Sequence, residues 1–109
     1  MTTPSRIEVL NEGNFEGIVK GNSFAIIDCW APWCAPCRMI APIMEELATK
    51  YSEVTFGKLN VDENVGIAGR FEIMAIPTIL FFRRGELVDK IVGAVPMSVI
   101  EEKIDALHR

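Results

Sequence analysis

The spacing of apolar and polar residues switches repeatedly between a strand period and a helix period. Ile7-Glu8-Val9-Leu10 alternates and reads as a short strand. Asn14 is placed to cap a short helix whose apolar residues are Phe15, Ile18 and Val19. After a Gly21-Asn22-Ser23 turn, Phe24 to Trp30 is nearly all apolar, as a central strand covered on both faces requires. From Cys34 to about Tyr51 the period becomes helical, with Met39, Ile40, Ile43, Met44, Leu47 and Ala48 forming a wide apolar stripe. Pro42 inside it removes one backbone bond and predicts a kink. Val54 to Val61 is a second apolar strand, closed by Asp62-Glu63-Asn64, and Val65 to Phe71 is a short helix weakened by Gly66 and Gly69. Ile76 to Phe82 is a strand opened by Pro77. Arg83-Arg84-Gly85-Glu86 then signals a hairpin into Leu87 to Val92, which Gly93 breaks. A last helix runs from near Pro96 to Leu107 and buries Val99, Ile100, Ile104 and Leu107.

The order is β-α-β-α-β-α-β-β-α, an α/β arrangement. Strands alternating with helices predict parallel pairs joined by right-handed crossovers, with helices on both faces and one antiparallel edge from the hairpin. Sites in such sheets form beyond the carboxyl ends of strands, and Cys34 follows the end of its strand.

Composition narrows the function. A chain of 109 residues, half of them hydrophobic, is expected to form one domain over 1–109 with a single core. Eleven basic against fifteen acidic residues give −4 and no basic patch, which argues against a nucleic-acid partner. No apolar run approaches the ~20 residues that span a bilayer, so no membrane partner is expected. Met1-Thr2-Thr3-Pro4-Ser5-Arg6 lacks a charged start followed by an apolar segment, so no signal peptide is read there and a cytoplasmic location is expected. In that compartment a Cys-x-x-Cys pair is more often catalytic than structural.

That pair is Cys34-Ala35-Pro36-Cys37. Two cysteines at i and i+3 share a helix face, so their sulfurs can bond or separate without unfolding the chain. The first would stand at the helix N-terminus, where free N–H groups and the macrodipole favour a thiolate. Pro36 fits just inside the start, where its missing N–H has no partner to lose. A zinc site would need further ligands, and only Cys29, inside a strand, and His108, next to the C-terminus, remain. A structural disulfide closing so short a loop would constrain the unfolded chain little. The pair reads as a reactive dithiol with no metal or cofactor.

The chain also resembles the thioredoxin family. The resemblance rests on Asp28, Trp30-Ala31, Trp33-Cys34-x-Pro36-Cys37, Arg38-Met39-Ile40-Ala41-Pro42, Lys58-Leu59-Asn60-Val61-Asp62, Ile76-Pro77-Thr78 and Val92-Gly93-Ala94. It implies a five-stranded mixed sheet flanked by four helices, and a monomeric protein-disulfide reductase recharged by a flavin- or ferredoxin-dependent thioredoxin reductase. Ala35, Ala75 and Cys29 depart from the commonest family pattern, and none of them removes a catalytic group. Retained Pro36 resembles the reducing members more than the oxidases and isomerases. An oxidase or isomerase, and a structural subunit in which the dithiol is incidental, are the competing readings.

By the same resemblance Cys34 is the attacking thiol and Cys37, one turn further in, resolves the mixed disulfide. Asp28, in the middle of Ile26-Ile27-Asp28-Cys29-Trp30, would be desolvated and so suited to accept a proton near neutrality, with Lys58 as its charge neighbour. An Asp held by a backbone or lysine partner for structure alone fits the pattern too. Ile76-Pro77 would be trans by sequence alone, since only ~5–6% of X-Pro bonds are cis; the resemblance implies cis, with the Ile76 backbone free to pair with an extended substrate. Trp33, Ala75, Ile76, Pro77, Gly93 and Ala94 would form an apolar docking surface, although Trp33 could instead be core. Trp30, Phe81, Phe82 and Cys29 are assigned to packing and His108 to a solvated terminus.

Overall fold

A computed structural model describes residues 5–109; most of the segment read for a signal peptide lies outside them. The elements in chain order are β1 (Ile7–Leu10), α1 (Phe15–Lys20), β2 (Phe24–Trp30), α2 (Ala35–Lys50), β3 (Thr55–Asn60), α3 (Val65–Arg70), β4 (Thr78–Arg83), β5 (Glu86–Val92) and α4 (Met97–Leu107). They build one five-stranded mixed sheet in the order β1-β3-β2-β4-β5, flanked by four helices. Among the described residues no helix is long and apolar enough to cross a membrane.

Strand periodicity sorts the core into two layers. Ile26, Phe56, Ile79 and Phe81 pack on one face with Ile40, Met44 and Leu47 of α2 and Ile100 and Ile104 of α4. Ile27, Leu59, Leu80 and Phe82 pack on the other with Phe15 and Val19 of α1 and Ile67 of α3. Because Asp28 is two residues from Ile26 it shares the α2 face, whereas Cys29 falls in the opposite cluster.

The first two crossovers are parallel: β1 and β2 both pair with β3 in that sense. The third is not, since β4 runs antiparallel to β2, with Asp28 opposite Ile79 and Cys29 opposite Thr78. Alternating strands and helices predict a parallel pair here. A crossover must carry the chain the length of the sheet, and the six-residue α3 is too short for that. The chain stays at the end where β3 left it, turns at Glu72 (φ 53°) and enters β4 through Pro77. The short helix therefore delivers the Pro77 segment to the carboxyl ends of β2 and β3. The hairpin is as read: Arg84 (φ 50°) and Gly85 (φ 86°) give the two left-handed residues of a tight two-residue turn.

Several local expectations change. Asn14 stands at the α1 N-cap, but its side chain makes no capping bond; it holds the preceding turn through Asn11 N–H and the Val9 carbonyl. Met39 leaves the apolar stripe of α2 and is 69% exposed. His108 stays exposed, as read, and also makes contacts, its ring 4.5 Å from Phe24 and its Nδ1 2.9 Å from the Ile104 carbonyl oxygen.

Candidate active site

The end of β2 and the start of α2 set the dithiol. Cys34 is the N-cap of α2 in an extended conformation (φ −90°, ψ 106°), so its sulfur faces the free N–H groups of the first turn. Cys37 N–H donates to Cys34 Sγ over 3.2 Å, and the two cysteines are joined as a disulfide with Cα atoms 5.3 Å apart. In this paired state both are almost wholly enclosed, 4% and 3% exposed, so exposure alone does not distinguish them.

Behind Cys37 lies a pocket of about 200 Å³ lined by Asp28, Trp30, Pro32, Arg38, Ala41 and Lys58 as well as Cys37 itself. Asp28 and Lys58 are register partners across β2 and β3. Burial pushes the Asp28 carboxyl up to about 7, with the Lys58 charge pulling partly the other way. No protein atom among the described residues hydrogen-bonds Asp28 Oδ1. A carboxyl so placed gains or loses its proton near neutrality, in the same pocket that Cys37 lines.

In front of the dithiol, the Ile76-Pro77 bond is cis and the Ile76 carbonyl oxygen lies 3.8 Å from Cys34 Sγ. The Pro77 carbonyl accepts from Gly93 N–H over 2.8 Å, which ties the loop after β5 to the start of β4. Gly93 has φ 99°, a conformation that side chains disfavour. Thr78 is buried and its hydroxyl donates to the Ala75 carbonyl, fixing the segment before the proline. Ala75 and Ala94 are exposed on either side, and Ile76 is half-buried. Trp33 is 68% exposed, which removes the core reading left open for it.

Residues given no role by the sequence also meet here. Asp62 accepts the Trp33 indole N–H over 2.9 Å, and Arg38 donates to the Pro32 carbonyl over 2.9 Å. Asp62 closes the Lys58–Asp62 stretch quoted for the resemblance; its place just past a strand ending at the site was the available signal. Cys29 takes no part: burial, then the Asp28 charge, pushes its thiol up to about 12.

Comparison with known proteins agrees with this geometry. The Thioredoxin family model matches residues 6–106. The chain is 43% identical over 103 residues to the chloroplastic M-type thioredoxin of Pisum sativum, covering 93% of this chain and 60% of that protein. It is 45% identical over 94 residues to thioredoxin 2 of Chlorobaculum tepidum, covering 84% and 86%. The solved mitochondrial thioredoxin 3 of Saccharomyces cerevisiae, in its oxidized form, superposes with a TM-score of 0.85 at 37% identity, covering 92% of this chain and 94% of that one. The chain thus spans about 60% of the length of the M-type relatives.

These relatives correct the cytoplasmic expectation. M-type thioredoxins of pea, spinach, oilseed rape and maize are chloroplastic, so a thioredoxin of this kind is not bound to the cytoplasm. The physical reason is that a reducing dithiol needs a reducing compartment, and the cytoplasm is not alone in being one.

Proposed function

The chain belongs to the thioredoxin family, and from that premise we propose that it reduces disulfide bonds of other proteins through Cys34 and Cys37. The observation that carries this reading is the N-cap position of Cys34 with the Cys37 N–H aimed at its sulfur. In the reduced protein the same donors stabilise a Cys34 thiolate. That thiolate attacks one sulfur of a substrate disulfide, a Cys34–substrate bond forms, and the other substrate sulfur leaves as a thiolate. Asp28 then takes the Cys37 proton. The Cys37 thiolate attacks Cys34 Sγ, which closes the internal disulfide and releases the second substrate thiolate. Two electrons have passed to the substrate, and a flavin- or ferredoxin-dependent reductase returns them.

Lys58 acts through Asp28, keeping its carboxylate from being too costly to form. A carboxyl near 7 is well matched to a proton transfer at neutral pH. Trp33, Ala75, Ile76, Gly93 and Ala94 form the docking surface over the buried Pro77, with the Ile76 backbone pairing an extended substrate segment by strand addition. The chloroplastic M-type relatives support a plastid setting for this activity.

The test is reduction of insulin disulfides by the protein with a chemical dithiol as recharging agent, together with a redox titration against glutathione. Catalysis that vanishes in Cys34→Ser, with a potential on the reducing side of the glutathione couple, is expected. A potential well on the oxidising side would replace this reading with an oxidase or isomerase, ~30 mV corresponding to ~1.4 kcal/mol.

A further inference from the structure

Two methionines stand clear of the core at the dithiol end. Met74, in the segment between α3 and β4, is 94% exposed, and Met39, two residues beyond Cys37 on α2, is 69% exposed. Each edges a groove. One, of about 370 Å³, is lined by Met74, Ala75, Thr78, Lys90 and Val92 among others. The other, of about 300 Å³, is lined by Met39, Ile43, Ala94, Val95 and Pro96 with Ile40. Pro77 lies between them. Thr78, the next residue, and Ala75, two residues before it, line the first groove, and its carbonyl is bonded to Gly93, the residue before Ala94 of the second.

This placement fixes what reaches the grooves. A substrate strand paired with Ile76 advances ~3.3 Å per residue, so side chains within two or three residues of the reacting cysteine arrive beside the methionines. The second groove has no charged lining residue, and in the first Glu72 and Lys90 carry opposite signs, so neither groove selects a net charge. The second groove is mostly apolar and the first is mixed, with Ile73, Ala75 and Val92 as its apolar part; what both offer is an unbranched, polarizable thioether that can follow side chains of different shape.

We propose that Met74 and Met39 are specificity-determining residues that favour protein disulfides whose reacting cysteine is flanked on both sides by apolar side chains. The inference rests on the reductase reading and names the substrate class of that same surface. Two matched peptide disulfides test it, one with leucine and one with aspartate at the flanking positions, the readout being the ratio of their kcat/KM values. The wild-type protein is expected to prefer the leucine peptide. Met74→Ser and Met39→Ser should each cut that ratio by about 3–10-fold, mostly through KM, as removal of a partly buried apolar contact does. Met74→Leu and Met39→Leu should restore it. An unchanged ratio in either serine variant, or a wild-type ratio near one, overturns the proposal. Reduction of a small aromatic disulfide by the wild-type protein separates the two readings: if that fails as well, the reductase function has failed and not only its selectivity.

Discussion

The Trp33 indole N–H is bonded to the Asp62 carboxylate over 2.9 Å while the tryptophan remains 68% exposed. A large ring is thus held still in front of the dithiol by one polar bond and little packing. Asp62→Ala should free it. The expected result is a KM for insulin raised by about 2–10-fold, the worth of one hydrogen bond, with kcat little changed and lower Trp33 fluorescence anisotropy. Asp62→Asn retains an acceptor and should behave close to wild type; an equal loss in both variants would show that charge, not ring position, is what Asp62 supplies.

Asp28 ties stability to pH. Its carboxyl titrates near 3.9 in an unfolded chain and at about 7 in the folded one. Between those values the folded state keeps a proton that the unfolded state has released, so stability declines as pH rises from about 4 to about 7 and levels off above. Asp28→Asn removes this decline. Thermal unfolding should find the variant more stable than wild type at pH 8, by up to about 4 kcal/mol, and indistinguishable near pH 4. The same variant should slow release of reduced substrate from the mixed disulfide, most of all near neutral pH. Turnover unchanged across pH would leave Asp28 a purely structural residue.

Alkylation should separate the three thiols. Cys34 alone receives a backbone N–H at the helix start, and Cys29 is held up at about 12. Limiting iodoacetamide at pH 7, followed by peptide mass analysis of the reduced protein, should therefore find the label on Cys34. Label mainly on Cys37 would reverse the order of attack.

Gly57 lies where three strands meet in the second core layer. A methyl there would stand 2.8 Å from Leu10 Cδ1 and 3.2 Å from Ile27 Cδ1. Gly57→Ala should cost about 1–3 kcal/mol by overpacking, read from chemical denaturation, without altering the redox potential. Stability equal to wild type would mean that β1 can shift away from the sheet.

Element order and type were legible because each strand or helix carries its own period. The reversal of β4 was not, since direction depends on whether a connection is long enough to return, and the shortness of α3, legible as Val65 to Phe71, was outweighed by the strand-helix alternation that predicts parallel pairs. At the site, Cys34 and Cys37 declare themselves by spacing, and the apolar run around Asp28 announces its burial. Asp62 and Met74 were silent for different reasons. An aspartate after a strand is an ordinary turn residue until Trp33 is seen above it, and Met74 falls between the predicted elements, where no period says which way a side chain faces.

The redox pair itself is local, closed within one turn of α2, whereas Lys58, Ile76 and Pro77 are brought to it from distant parts of the chain. An unfolded chain therefore retains a Cys-x-x-Cys able to open and close but loses its surroundings. Folding and oxidation then form a thermodynamic cycle. The difference in unfolding free energy between the disulfide and dithiol forms must equal the difference in redox free energy between the folded and unfolded pair, at ~1.4 kcal/mol per ~30 mV. Two denaturation curves thus report how far the fold has displaced the potential of an untuned dithiol, with no redox buffer involved.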